Sequence, residues 1–246
     1  MGKAAWRVSP QGDRCLMVEF GQKIDRETNL RARALAQYLV DHPIPGVLDV
    51  VPAFTTVAIH YRPEAIAEPE GPEIPFERLA ARVEEVLEGG VEGAAPEARR
   101  IRIPVWYGGE FGPDLAEVGR ARGLTPDEVV TIHSQSPHVV YMLGFAPGFP
   151  YIAGLDERLA MPRRATPRLK IPLGTIAIAG SQSVVYSLET PGGWNLIGRT
   201  PLRVFTPDTD PPCLLRAGDA VQFFPITREQ YYAQCAAHSP AATEGL

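Results

Sequence analysis

Apolar residues recur at helical spacing in two segments of the first half of the chain. Asp25 is a suitable N-cap for the first segment, which ends before Pro43. The second segment runs roughly from Phe76 to Leu87 and is followed by glycines. Both segments are therefore predicted to form amphipathic helices. Their apolar positions are Leu30, Ala34, Leu35, Tyr38 and Leu39 in the first and Leu79, Val83, Val86 and Leu87 in the second.

Strand patterns flank these helices. Residues 5–20 predict two short strands around a Gly-Asp turn, and residues 47–61 predict paired strands that break at Pro52. Together these elements indicate a small α+β unit of about 95 residues, within the usual size of a domain. A loose, acidic, alanine-rich passage at residues 91–98 separates this unit from a strand candidate at residues 99–107. We place the domain boundary in this passage, so that the domains span residues 1–95 and 96–246.

The second half predicts two short helices and then only strands. The first helix covers residues 113–122, and Thr125-Pro126-Asp127-Glu128 predicts the capped start of the second. The strand candidates after it have turn signals between them at the spacing of a sandwich or barrel. Residues 235–246 are predicted to be frayed. The strand candidates are residues 138–143, 175–179, 184–188, 195–198, 202–206 and 220–224.

Composition narrows the function classes. The chain has 246 residues, 45% of them hydrophobic and 22% charged, and its formal net charge is -5. These values are typical of a globular protein, and no basic stretch alternates with aromatic residues, which argues against nucleic acid as a partner. No apolar run approaches the ~20 residues that span a bilayer, and the N-terminus lacks the apolar core of a signal peptide. Three scattered cysteines make neither a CxxC pair nor a disulfide framework. We therefore expect a cytoplasmic protein that does not bind membranes.

A cluster of polar residues lies where the second helix of this half meets the next strand. His133 could act there as a general acid or base at the rim of a cleft. Capping and ordinary surface roles are the alternative. A metal site is unfavourable, because His133 and His138 do not share a helix face and no acidic or sulfur ligand is near in sequence.

Residues 142–199 are unusually rich in glycine, proline, aromatic residues and arginine. Phe145, Gly148 and Phe149 belong to a turn that either caps a barrel end or lines a small-molecule cleft. Arg163 and Arg168 lie in a proline-spaced segment that suits contacts to carboxylate or phosphate. The alternative is a solvated run of charge.

Three further features of this stretch are candidates for a site. Gly192-Gly193 could present backbone N–H groups to an anion, and Trp194 follows them, although a hairpin turn with a buried tryptophan is the alternative. Arg199 is a single candidate cation. The sequence has neither a Walker phosphate loop nor a Rossmann glycine motif, and no Ser-His-Asp or Cys-His arrangement can be assigned.

Several long motifs in this half resemble the KipI/allophanate hydrolase subunit 1 family. They are GFAPGFPYIAGL, PRRATPRLKIPLGTIAIAG, PGGWNLIGRTP and the closing AGDAVQFFPI. The resemblance implies a fold in the α+β class, with a small N-terminal α+β domain followed by a cyclophilin-like β-barrel domain. It also implies a partner of the allophanate hydrolase subunit 2 type, with which the barrel forms a composite cleft.

The resemblance also implies an activity. Members of the family include the B component of a three-component 5-oxoprolinase, which opens 5-oxoproline to glutamate with ATP and with components of the A and C types. We therefore expect this chain to be such a B component, with ATP bound by the complex. Two alternatives stay open. One is a carboxyltransferase-type component that acts on urea or a related amide with biotin, and the other is a KipI-like inhibitor of a histidine kinase.

Residue roles follow from the resemblance and from the chemistry of activating an amide oxygen, which needs cations nearby. We expect Arg163, Arg168 and Arg199 to contact anions. His133, Gln182 and Tyr186 are expected to orient the substrate, with His133, Arg168, Gln182 and Tyr186 forming the catalytic group and no metal ligand among them. The cleft is expected to be shaped by Phe145, Gly148, Phe149, Gly192, Gly193 and Trp194.

One segment departs from the family pattern. The family usually has a Gln-Thr-Gly-Ile-Tyr-Pro-like run, where this chain has Gln-Ser-Val-Val-Tyr-Ser at residues 182–187. The loss of a glycine and a proline changes the backbone beside the expected cleft. We therefore expect any change of substrate to originate here.

Overall fold

The computed structural model describes residues 6–66, 74–91 and 98–238, and the chain divides into two compact units, residues 1–97 and 98–246. A small α+β unit followed by a β-barrel confirms the predicted fold class. The predicted boundary between residues 95 and 96 lies outside the described residues.

The first unit has one antiparallel sheet and three helices. The sheet order is β1-β2-β4-β3, with β1 at Arg7–Pro10, β2 at Cys15–Glu19, β3 at Val47–Pro52 and β4 at Thr56–Tyr61. The helices are α1 at Arg26–Asp41, α2 at Pro63–Ile66 and α3 at Pro75–Glu88. All four strands and both long helices were predicted.

The core of this unit follows from the two-residue period of its strands and the 3.6-residue period of its helices. Alternate residues of β2 and β4, such as Leu16 and Ile59, point to one face of the sheet, and the apolar sides of α1 and α3 cover them with residues such as Leu35 and Leu79. Asp25 caps α1, because its Oδ1 accepts a hydrogen bond of 2.9 Å from the Thr28 backbone N–H. The predicted helix start is thereby confirmed.

Seven strands of residues 98–238 close a barrel in the order β10-β7-β6-β13-β5-β12-β9. Within this barrel, only β5 and β13 pair in parallel. The remaining strands, β8 and β11, form a separate two-stranded ribbon. The strands are β5 Arg100–Tyr107, β6 His138–Leu143, β7 Pro150–Ala153, β8 Arg168–Ile171, β9 Thr175–Ala179, β10 Gln182–Val185, β11 Thr190–Gly192, β12 Asn195–Arg199 and β13 Ala220–Pro225.

Among the described residues, three α-helices accompany the barrel, α4 at Leu115–Arg122, α5 at Pro126–Gln135 and α6 at Arg228–His238, together with a short 3-10 helix at Glu157–Leu159. The predicted capping box of α5 is confirmed, with reciprocal bonds between Thr125 and Glu128. No helix among the described residues is long and apolar enough to cross a membrane.

Some local predictions were wrong. Residues 202–206 form only an isolated bridge, between Phe205 and Cys213. The strands β7, β8 and β11 were missed because they are three or four residues long and rich in proline, glycine or charge. Helix α6 continues through Cys235, where fraying was predicted, and residues 239–246 lie outside the described part.

Candidate functional site

One wall of the barrel is apolar on both of its faces. In β9, Ile176 and Ile178 pack into the barrel interior, whereas Ala177 and Ala179 belong to a second apolar cluster. Successive side chains of a strand point to opposite faces, so the second cluster lies on the outside of the wall. An outer face that is buried in this way must be covered by other parts of the chain.

Four rings form the centre of this outer aromatic cluster: Phe149, Tyr151, Tyr186 and Trp194. Phe149 meets Tyr186 edge to face, with ring centroids 5.2 Å apart, and Tyr151 at 5.3 Å. Tyr151 and Trp194 have centroids 6.3 Å apart. These contacts lie within the range in which aromatic pairs stabilise each other, so the rings form one connected wall.

Phe145 extends this wall into solvent. Its ring lies 5.4 Å from Phe149, its side chain is 69% exposed, and its backbone has φ of 70°. A positive φ is uncommon for a residue with a Cβ atom. Gly148 also has a positive φ, of 67°, and a Cβ there would lie 2.7 Å from the Cβ of Phe205. The turn therefore requires glycine at 148 and holds Phe145 in an exposed, strained position.

Gly192 permits the close approach of the β8–β11 ribbon to Tyr186. A Cβ on Gly192 would overlap the Tyr186 hydroxyl and would lie 3.0 Å from Ile171 Cδ1. At Gly193, by contrast, the nearest atom to an added Cβ would be Arg164 O at 3.4 Å. The tyrosine hydroxyl therefore lies directly against the Cα of Gly192.

The hydroxyl of Tyr186 stays protonated near neutral pH. Burial raises its pKa to about 12, although the positive charges of Arg163 and Arg168 act in the opposite direction. No hydrogen bond of the described residues contributes to this pKa. Tyr186 therefore places a neutral but buried hydroxyl beside Gly192.

Arg163 and Arg168 have different surroundings. The guanidinium of Arg163 lies over Trp194, 5.1 Å from the ring centroid, and pairs with no carboxylate of the described residues. Arg168 is bound to Asp114, with Nη2 2.7 Å from Oδ1, and its Nη1 is buried without a partner in the described part of the chain. Arg163 is thus available to an anion, while Arg168 is already in an ion pair.

Asp114 is a residue that sequence reasoning missed. It precedes α4 and its side chain is 4% exposed. Its Oδ2 accepts the Leu196 backbone N–H at 2.7 Å, and its Oδ1 accepts from Arg168 and, at 3.2 Å, from Arg164. The sequence carries no signal for it, because its partners lie at least 50 positions away.

Arg199 and His133 lie apart from the outer aromatic cluster. Arg199 is at the far end of β12, where its Nε donates to Leu173 O at 2.9 Å and its guanidinium covers Phe111. His133 is fully buried in the barrel interior, between the Tyr107 hydroxyl at 2.7 Å and the Ser183 hydroxyl at 3.1 Å. Burial lowers the pKa of His133 well below its usual value, and His138 adds to this effect.

The segment that departs from the family pattern lies on the same wall. Gln182 begins β10 and is half-buried. Val184 is the position at which glycine was expected from the family resemblance. Its side chain is fully buried in the same cluster as the outer rings, two positions before Tyr186. Ser183 points to the other face, toward His133. The change therefore adds an isopropyl group beneath the aromatic rings.

Among the residues that the structure describes, no group of three or more His, Cys, Asp or Glu side chains could hold a metal ion. The exposed guanidinium of Arg163 instead lies at the edge of the outer aromatic cluster, next to its apolar rings and the neutral Tyr186 hydroxyl. Such a combination suits a small organic anion.

Comparison with known proteins supports the resemblance seen in the sequence. Residues 6–215 match the family described as carboxyltransferase domain, subdomain C and D. The B component of 5-oxoprolinase from Bacillus subtilis (strain 168) is 45% identical over 230 residues, which cover 93% of this chain and 96% of that protein. The corresponding 5-oxoprolinase component from Escherichia coli O157:H7 is 44% identical over 215 residues, with 87% and 93% covered.

A solved structure shares the fold. The crystal structure of TTHA0988 is 37% identical, with a TM-score of 0.73 over 87% of this chain. The match covers 40% of the TTHA0988 chain, so this chain spans less than half of that protein's length. Because the family match and two relatives above 40% identity each cover most of the sequence, the chain belongs to the carboxyltransferase subdomain C and D family, with the B components of bacterial 5-oxoprolinases among its members.

Proposed function

We propose that this chain is the B component of a multi-subunit, ATP-dependent 5-oxoprolinase that converts 5-oxoproline to glutamate. The observation that carries the proposal is the outer aromatic cluster with Arg163 beside it, in a chain that is 45% identical to the B component of a 5-oxoprolinase. 5-Oxoproline is a small flat lactam with one carboxylate. The aromatic wall matches its flat ring, the free cation of Arg163 matches its carboxylate, and the neutral hydroxyl of Tyr186 matches its lactam oxygen.

Each residue would have a separate task in binding. The aromatic wall covers the lactam ring, and Arg163 pairs with the substrate carboxylate. Tyr186 is 1% exposed, so substrate binding would have to uncover its hydroxyl. The hydroxyl would then donate a hydrogen bond to the lactam oxygen, where negative charge develops when the amide carbon is attacked. Overall, water adds across the lactam C–N bond, so that the carbon gains the oxygen and the ring nitrogen gains a proton. We assign no attacking group to this chain.

The residues of this site do not fit ATP. A triphosphate needs several converging cations or a loop of backbone N–H groups. Arg163 is a single exposed cation, while Arg164 and Arg168 already bind Asp114 and the sequence has no phosphate loop. We therefore assign ATP to the complex and derive no step of this chain's chemistry through it.

The partner would complete the site. Phe145 is exposed beside the outer aromatic cluster, and Leu169 on the β8–β11 ribbon is 88% exposed. Large apolar side chains exposed on a protein surface can mark places where other proteins associate. We propose that a partner of the C type, related to allophanate hydrolase subunit 2, covers Phe145 and the outer aromatic cluster and that a component of the A type completes the enzyme. The free cysteines Cys15, Cys213 and Cys235 fit a cytoplasmic location.

The proposal is tested by reconstituting the chain with A-type and C-type components and measuring glutamate formed from 5-oxoproline with and without ATP. Glutamate should form only with ATP. Arg163→Ala should raise KM for 5-oxoproline about tenfold or more, the effect of losing a charge-assisted pair. Arg120→Gln, an exposed arginine on α4, is the matched control and should change nothing. A fully assembled complex that forms no glutamate would refute the proposal.

The family description favours one second candidate, a carboxyltransferase-type component. The same complex is therefore assayed with urea, bicarbonate, ATP and a biotinylated carrier. Carboxylation of urea without glutamate formation would favour this candidate. Inhibition of histidine-kinase autophosphorylation by the isolated chain would favour the regulatory alternative.

A further inference from the structure

The arginine segment, residues 163–168, is held by one buried carboxylate. Asp114 binds Arg164 near the start of the segment and Arg168 at its end, through the same Oδ1 atom. Its other oxygen holds the backbone N–H of Leu196 on β12. A single side chain thus joins the start of α4, the strand β12 and both ends of this segment.

Asp114 does not act as an ordinary N-cap. It occupies the cap position of α4, yet its side chain makes no capping hydrogen bond there. N-cap residues usually bind the free N–H groups of the first turn, and losing that bond costs about 1 kcal/mol. The carboxylate turns instead toward Leu196 and the two arginines. The Asp114 side chain therefore binds the arginine segment instead of stabilising the first turn of α4.

Asp114 also sets which arginine carries free charge. Arg164 and Arg168 share Asp114, and Arg164 has a second partner, Glu117, at 2.9 Å. Two positive charges thus meet two negative charges, and these arginines present no net charge to a ligand. Arg163 points the other way, onto Trp194. A substrate anion therefore has one free guanidinium in this segment.

We propose that Asp114 is the positioning residue that fixes Arg163 over Trp194 for recognition of the substrate carboxylate. The assignment of the carboxylate rests on the proposed function. The backbone beside Arg163 has further supports, since Pro162 O accepts from Asn195 and Arg164 N–H donates to Gly193 O at 2.7 Å. Removal of the Asp114 charge therefore tests whether these backbone hydrogen bonds alone hold Arg163 over Trp194.

The first experiment is a double-mutant cycle in the assembled enzyme with Asp114→Asn and Arg163→Ala. Each single substitution should raise KM for 5-oxoproline about tenfold, with kcat within about twofold. The double variant should resemble Arg163→Ala alone, because Asp114 acts through Arg163. Independent, multiplicative effects would overturn the proposal. Glu117→Gln, which removes the half-exposed second partner of Arg164, is the matched control and should leave KM unchanged.

The second experiment uses the isolated full chain and requires no activity. The indole N–H resonance of Trp194, assigned with Trp194→Phe, reports the guanidinium above the ring. Arg163→Ala should shift it, and Asp114→Asn should shift it in the same direction. A resonance that moves in Arg163→Ala but not in Asp114→Asn would overturn the positioning role even if the enzyme is inactive. Loss of activity with coupled shifts would refute only the proposed function.

Discussion

The close contact between Gly192 and Tyr186 predicts a large effect of a single added methyl group. In Gly192→Ala the new Cβ would overlap Tyr186 Oη and would lie 3.2 Å from Tyr186 Cζ and 3.0 Å from Ile171 Cδ1. Tyr186 cannot swing away, because its ring is 1% exposed and packed against Phe149. Ile171 is also fully buried. The ribbon must therefore move away from the barrel wall.

Overpacking of this kind costs typically about 1–3 kcal/mol. A cost of about 2 kcal/mol lowers Tm by about 4–8 °C in a chain of this size. The assay is thermal unfolding of the barrel followed by near-ultraviolet circular dichroism, with urea unfolding as a second measure. Gly193→Ala is the matched control, because its Cβ would meet Arg164 O at 3.4 Å, and it should lower Tm much less.

Removal of the clashing atom should rescue the variant. Tyr186→Phe by itself should change stability little, because no hydrogen bond of the described residues contributes to the pKa of its hydroxyl. In the Gly192→Ala/Tyr186→Phe double variant, part of the lost stability should return, since the Oη contact is gone while the Ile171 contact remains. If the double variant loses as much stability as the two single variants together, the steric explanation is refuted.

Three further predictions concern the barrel. His138 is buried and its folded-state pKa is lowered to about 4, so the unfolded chain takes up a proton first as the pH falls. Stability should be full above about pH 6.5 and should decline toward pH 4. In urea unfolding at several pH values, His138→Gln should reduce this slope, and the part that remains should come from His133, whose pKa is also lowered by burial. Asp219→Asn breaks the two-bond contact with Arg99 and should cost about 2 kcal/mol in urea unfolding, because Asp219 is 4% exposed while Arg99 is partly solvated. Asp156→Asn, which breaks a more solvated pair with Arg158, should lower stability less. Arg199→Ala should lower stability by about 1 kcal/mol through the lost contacts to Phe111 and Leu173. It should leave KM for 5-oxoproline within about twofold. A tenfold rise in KM would instead indicate that Arg199 contacts the substrate.

The departure from the family pattern at residues 182–187 has a defined place in the structure. Val184 fills part of the outer apolar cluster, so its side chain supports the aromatic wall from beneath. Tyr186, the donor proposed for the lactam oxygen, retains its family position. The expected departure from the family pattern therefore concerns packing within this buried cluster.

The sequence by itself determined the elements whose signals are local. Helical spacing and capping residues such as Asp25 and Thr125 predicted the long helices, because a helix contacts its own neighbours three and four positions away. Alternation predicted the longer strands in the same way. The family motifs then identified the stretch that contains Tyr186, Arg163 and Gly192.

Only the tertiary structure decided which of these residues meet. It separated Arg163, free over Trp194, from Arg168, neutralised by Asp114, although both lie in the same proline-spaced segment. It also placed His133 inside the barrel and Tyr186 outside, on positions that sequence alone could not assign to a face. The physical reason is that ion pairing and burial depend on contacts between positions far apart in the chain, such as 114 and 168, for which no local pattern exists.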